Sequence, residues 1–288
     1  MKAICRVDCR NKLGEGCVWD PRDGCLYWTD IEASQLFRLN PNGSTDTFSV
    51  PERVAFILPR EKSGFVVGFA SRIALSDSDF KSFATIAVIE PELPQTRVND
   101  AAVDPYGGVV FGTFDERDRK PVASIYRLAP NRELTRLEGD ITISNGIAFE
   151  ADGKTMYFAD TPVGVIRRFR IHGEFSRLEE IEPLAGADIA PGKPDGAVVD
   201  QEGHYWSARV WGGCLVRISP DGLLSERIEL PVKGPTCVAL GGRDRNRLFA
   251  TTLRVRHNEQ ELAASPQAGG LFEVEVGVPG VPQRLCSL

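Results

Sequence analysis

Glu15, Asn99, Asn145 and Asp195 are oxygen-bearing side chains that each stand at the head of a short apolar run, the last three in Asn99–Val103, Asn145–Phe149 and Asp195–Val199. Two are carboxylates and two are neutral amides. That mixture suits a hard divalent cation such as Ca²⁺, Mg²⁺ or Mn²⁺, and protein ligands spread over a ring leave open positions for water and substrate. Without a cation, Glu15 and Asp195 would repel each other in a partly dry site, and at least one should hold its proton above the usual carboxylate range. Asn-Gly and Asp-Gly are also common turn dipeptides, which would explain any one of these residues alone. What singles them out is that all four recur at about the same phase of a repeat.

That repeat is a turn followed by a strand. It begins at Asp20–Asp30 and returns at Arg60–Phe69, Asp104–Thr113, Glu150–Asp160 and Asp200–Ala208, and more weakly at Gly242–Thr251. A third strand with an apolar and polar alternation follows several copies, as in Gln35–Gly43, Ser124–Asn131 and Cys214–Gly222, and a fourth, edge-like strand comes next, as in Glu226–Leu230. Four short antiparallel strands per unit, repeated six times at intervals of roughly 40 to 50 residues, predict an all-β fold, a six-bladed β-propeller. The six units use the whole chain, so residues 1–288 read as one domain with no linker or low-complexity tail. Asn258–Ala264 could add one or two helical turns inside the last unit. In such a ring the innermost strands line a central channel. Counting back eight or nine residues from the turn glycines Gly24, Gly107, Gly153 and Gly203 lands on Glu15, Asn99, Asn145 and Asp195, whereas the second and sixth units give Phe56 and approximately Thr236.

Composition excludes several other classes. The chain has 288 residues and a formal net charge of −6, so no basic surface invites nucleic acid or anionic lipid. No apolar run approaches the roughly 18 residues that span a bilayer, and the first ten residues carry charges where a signal peptide would be apolar. A cytoplasmic protein without membrane contact, monomeric or a weak homodimer, is expected. The seven cysteines form no C-x-x-C pair and read as reduced, mostly buried thiols, with Cys17 notable for its place beside Glu15. The three histidines, His172, His204 and His257, belong to no Gly-x-Ser-x-Gly elbow or evident triad, so a covalent serine or cysteine nucleophile is not expected. His204, Tyr205 and Trp206 read as blade packing, and Trp211–Gly213 and the loop Ala185–Lys193 as candidates to line or cover the channel mouth.

Four motifs in register, Leu13–Gly16, Arg97–Asp100 with Val103–Pro105, Ser144–Phe149 with Asp152–Thr155, and Pro194–Gly196, resemble those of the senescence marker protein (regucalcin) and gluconolactonase family from about residue 13 to residue 275. The resemblance implies a six-bladed propeller that holds one divalent cation in its channel and hydrolyses sugar lactones. Carried over motif by motif, it makes Glu15, Asn145 and Asp195 metal ligands, Asn99 a contact to substrate or a water on the metal, and Arg97 a binder of lactone oxygens. Asp115 or Glu116, with Glu116 the expected one, would contact sugar hydroxyls. Ca²⁺ is the expected cation, with Zn²⁺, Mn²⁺, Mg²⁺ and Fe²⁺ as the other candidates. Cys17 stands where the family usually has proline, and Val98 and Ala101 where it often has an aromatic residue and glycine, departures that bear on substrate more than on chemistry.

A lactone is an ester, and a metal removes the need for a covalent nucleophile by polarising its carbonyl and lowering the pKa of water. Asp195 is therefore expected to accept the proton of the attacking water as well as touch the cation. The competing readings are a related propeller hydrolase acting on other esters, and a non-catalytic propeller that binds calcium or a sugar.

Overall fold

The computed structural model describes all 288 residues and contains 24 strands arranged as six four-stranded antiparallel sheets, the predicted six-bladed propeller. Blades one to five run in chain order, starting with inner strands Gly14–Asp20, Val54–Pro59, Thr96–Val103, Ser144–Phe149 and Lys193–Val199. The sixth blade takes Pro235–Gly241, Arg247–Thr252 and Leu271–Glu275 from the C-terminal part of the chain, and its outermost strand is Ile4–Val7. The two ends of the chain thus close the ring, a joint the repeat pattern did not reveal.

Each predicted turn is present, and its glycine holds left-handed backbone, from Gly24 at φ 69° to Gly242 at φ 85°, a conformation that penalises any Cβ. The aspartate that opens the turn caps it. Asp104 accepts the backbone N–H groups of Tyr106 and Gly108, and Asp200 those of Glu202 and His204. The arginine of the third strand reaches back to the same carboxylate, Arg127 to Asp104 at 2.6 Å and Arg217 to Asp200 at 2.8 Å. This pairing accounts for the third-strand arginine in blades three and five, whereas Arg38 of blade one pairs with Asp46 and Arg167 of blade four with Glu180.

The core is divided among the joints between blades. Six apolar clusters each bridge two adjacent blades, for example Trp206 and Leu215 of blade five against Leu248 and Phe272 of blade six. No helix is long and apolar enough to cross a membrane. The expected helical turns exist as Glu259–Ala264, capped by Asn258 and Glu261 in a reciprocal box. Residues 279–288 cross one end of the channel, bonding to backbone near Gln201, Arg245, Pro59 and Gly107.

Candidate active site

Every inner strand carries a bulge at its site end. In blade one, Glu15 pairs with Thr29 and Val18 with Tyr27, so the inner strand holds one residue more than its partner, and the same extra residue occurs at Val98–Ala101, Asn145–Ala148, Pro194–Ala197 and Pro235–Val238. A bulge breaks the two-residue alternation of side chains and re-aims those beside it. Register also refines the phase read from the turn glycines: Glu15 and Asn145 are the last paired residues before the bulge, whereas Asn99 and Asp195 are the first residues inside it.

The bulges bring the predicted residues together. Glu15, Arg97, Asn99, Glu116, Asn145 and Asp195 all line one cavity of about 270 Å³. Phe56 and Thr236, at the equivalent positions of blades two and six, do not line it. The Phe56 ring is packed against Gly68, and the Thr236 hydroxyl donates to the Gly14 carbonyl. Cys17 lies on the other side of the bulge, in a smaller, mostly apolar cavity of about 100 Å³ that it shares with Cys237.

A chain of hydrogen bonds fixes the cavity floor. Arg97 donates from Nε to Glu116 at 3.0 Å and from Nη1 to Asn99 Oδ1 at 2.7 Å, with its guanidinium 4.3 Å from the centre of the Phe114 ring. Asn99 Nδ2 donates to the Ser144 carbonyl and to Asn145 Oδ1, and Asn145 Nδ2 donates to Thr161 Oγ1 at 2.9 Å. Thr161 in turn donates to the Pro194 carbonyl, next to Asp195. Both N–H donors of Asn99 are therefore spent on blade four, one on the Ser144 carbonyl and one on Asn145 Oδ1. What Asn99 retains for a ligand is a lone pair of Oδ1, and Asn145 Oδ1 likewise has one lone pair left.

Two buried aspartates aim the strands that carry Glu15 and Asn145. Asp30 accepts the backbone N–H groups of Lys12 and Leu13, and Asp160 those of Thr142 and Ile143. Tyr205 of blade five donates to the carbonyl of the bulge glycine Gly146 at 2.8 Å. It is thus a brace between blades at the site as well as packing within one. Thr161, just past the repeat copy Glu150–Asp160, escaped sequence reasoning, and Tyr205 was read there only as blade packing, because each acts across a blade joint.

Burial dominates the electrostatics of the cavity's carboxylates. Burial pushes the Glu15 carboxyl up to about 8, with the nearby Asp100 adding to the effect and Arg97 opposing it. Asp195 is raised well above the carboxylate range by burial and then by Glu15 and Asp100, and its Oδ1 is buried with no hydrogen-bond partner. Asp100 is raised to about 6 by burial. A buried carboxylate oxygen that nothing bonds is costly unless a positive ligand faces it. No group of three His, Cys, Asp or Glu clusters anywhere in the chain, so the donors available here are two carboxylates with amide oxygens, a set that fits a hard divalent cation.

Glu116 differs. Burial pushes its carboxyl up, but bonds from Arg53 at 2.8 and 2.7 Å and the charge of Arg97 hold it below the usual range. Asp115 faces away from the cavity and accepts the backbone N–H groups of Arg117, Asp118 and Lys120. Of this acidic pair, Glu116 is the one at the cavity. Trp211 and Val210 also line it, whereas the loop Ala185–Lys193 does not.

The family model described as the SMP-30/gluconolactonase/LRE-like region matches residues 13–254. The chain belongs to this family. Among its relatives, the L-arabinolactonase of Azospirillum brasilense is 39% identical over 97% of this chain and 94% of its own length. The 6-deoxy-6-sulfogluconolactonase of Pseudomonas putida is 37% identical over 98% and 97%. Among solved structures, the regucalcin of Agrobacterium tumefaciens, described as a calcium-binding protein, superposes with a TM-score of 0.93 at 30% identity, covering 99% of this chain and 97% of the other. The family match begins at Leu13 and ends at Arg254, and so it takes in every residue of the cavity floor.

Proposed function

We propose that the chain hydrolyses a sugar lactone, an aldonolactone such as a pentono- or gluconolactone, to the aldonic acid at one divalent cation held by Glu15, Asn145 and Asp195. The observation that carries this reading is the unpartnered Oδ1 of Asp195 at the floor of a cavity whose only other carboxylate of raised pKa is Glu15. Full-length likeness to an arabinolactonase and a sulfogluconolactonase supports the substrate class, and likeness to a calcium-binding regucalcin supports Ca²⁺.

When bound, the cation would supply a Lewis acid that polarises the lactone carbonyl and lowers the pKa of water. Asp195 accepts a proton from the attacking water as its oxygen bonds to the carbonyl carbon. The ring C–O bond then breaks, and the proton passes to the departing ring oxygen, which becomes a hydroxyl. Arg97, with Nη2 uncommitted to any protein acceptor, donates to lactone oxygens, and Asn99 keeps Asn145 turned toward the cation while its free lone pair accepts from a hydroxyl or water. Glu116, held ionised by two arginines, accepts from sugar hydroxyls.

The test is metal-stripped protein re-loaded with Ca²⁺, Mg²⁺, Mn²⁺, Zn²⁺ or Fe²⁺ and assayed by proton release on arabino-, xylono-, galactono- and gluconolactones. Turnover with at least one pair and none in chelator is expected. Cation binding without turnover of any lactone would replace hydrolysis with a binding role.

A further inference from the structure

With a divalent cation bound as proposed above, the charges around the cavity would no longer cancel. Glu15 and Asp195 answer to the cation, and Glu116 is matched by Arg53 and Arg97, with Glu32 lying 3.5 Å from Arg53. Two further cavity-lining cations, Arg119 and Arg256, take part in none of these pairs and bond no other side chain. Both are exposed, so they stand at the mouth, away from the buried floor.

Neither sits on a loose loop. Arg119 is carried by the turn that Asp115 clamps through the N–H groups of Arg117, Asp118 and Lys120. Arg256 is carried by a turn whose Arg254 and Val255 N–H groups both bond the Lys12 carbonyl, and the capped helix at Asn258 follows it. Both arginines hold left-handed backbone, φ 52° and 66°, at a cost of about 1 kcal/mol or more that glycine would avoid. Two anchored turns thus present guanidinium groups over a cavity whose intended ligand, if it were a neutral sugar lactone, would have no charge to meet them.

We propose, building on the lactonase reading above, that the cavity takes a lactone bearing an anionic substituent on a carbon remote from the carbonyl, and that Arg119 and Arg256 at the mouth bind that anion. With the carbonyl on the floor at Glu15, Asn145 and Asp195, the far end of a hexonolactone points outward to the two guanidinium groups. A carboxylate, sulfonate or phosphate there forms charge-assisted hydrogen bonds that a hydroxymethyl group cannot match.

The test compares Ca²⁺-loaded enzyme on glucono-1,5-lactone with its 6-phosphate, 6-sulfonate and 6-carboxylate analogues, which also tell the three anions apart. Wild type should favour at least one charged lactone by roughly tenfold or more in kcat/KM, expressed mainly in KM and lost in 0.5 M salt. In the R119A/R256A double variant that charged-to-neutral ratio should fall by about tenfold, and R119K/R256K should restore part of it. Equal or better use of the neutral lactone by wild type, or an unchanged ratio in the double variant, would overturn the proposal. Protection against thermal unfolding by glucitol 6-phosphate relative to glucitol reads the same two arginines without turnover. If no lactone is hydrolysed but this protection is seen and disappears in R119A/R256A, the lactonase reading fails and the anion site stands; protection that is absent or unaffected by the variant removes the anion site.

Discussion

At the residue scale, the decisive group is Asp195, a buried carboxylate whose Oδ1 has no partner within the protein. Asp195→Asn keeps shape and size but removes the proposed proton acceptor and one charge of the proposed cation site. It should fold normally by circular dichroism and lose about 10²- to 10⁴-fold in kcat; hydrolysis within a few-fold of wild type would remove Asp195 from the chemistry. The raised carboxyls make a second prediction, for metal-free protein. A carboxyl whose folded pKa exceeds its unfolded value binds its proton more tightly when folded. Its stabilisation is therefore complete below the unfolded value near 4.5 and is lost as pH rises through the folded value, about 8 for Glu15. Metal-stripped protein should melt at a lower temperature at pH 8.5 than at pH 6, and Ca²⁺ should raise the melting temperature more at the higher pH. A melting temperature that climbs over this range without metal would contradict the burial of Glu15 and Asp195 as a repelling pair. Glu15 and Asp195 were legible in the sequence as donors, because chemistry attaches to residue type. The expectation of Glu116 over Asp115 gained its physical ground only from the structure, where Asp115 is committed to capping a turn and Glu116 lines the cavity.

At the scale of elements, the site is made by bulges and by braces between blades. Gly146 holds φ 65°, and a Cβ placed there would lie 2.2 Å from the Tyr205 hydroxyl. Gly146→Ala should therefore cost about 2 kcal/mol or more and displace Asn145, read as a lower denaturation midpoint together with loss of activity; a fully active, equally stable variant would show that the bulge tolerates ordinary backbone. Thr161→Val removes the hydroxyl that holds Asn145 Nδ2 and tethers Pro194. Cation affinity measured by titration should weaken by about 10- to 100-fold, as for other groups that orient a ligand, with little change in melting temperature of the metal-free protein. The strands themselves could be read from apolar and polar alternation. The bulges could not, because an extra residue leaves no mark in a pattern that tolerates spacings of eight or nine, and the one-residue offset between Glu15 and Asn99 became visible only in the pairing register.

At the scale of the whole molecule, the ring is held by joints between blades and by one strand that returns to the last blade. Deleting residues 1–8 would strip Ile4–Val7 from Leu271–Glu275, leave an unpaired edge and open the packing between blades six and one. A fall of about 10 °C in melting temperature, with aggregation, is expected; an unchanged melt would mean that the ring is closed by other contacts. Sequence alone determined the architecture, the positions of the oxygen donors and the family motifs, because repeat spacing, turn glycines and residue chemistry are local properties written along the chain. Tertiary structure alone decided which strand completes blade six, that Asn99 spends its donors on the Ser144 carbonyl and Asn145, that Thr161 and Tyr205 brace the site from neighbouring blades, and that Arg119 and Arg256 are left unpaired at the mouth. Each of these depends on which residues meet across a joint between blades, and a repeat pattern gives the phase within a blade without giving the register between one blade and the next.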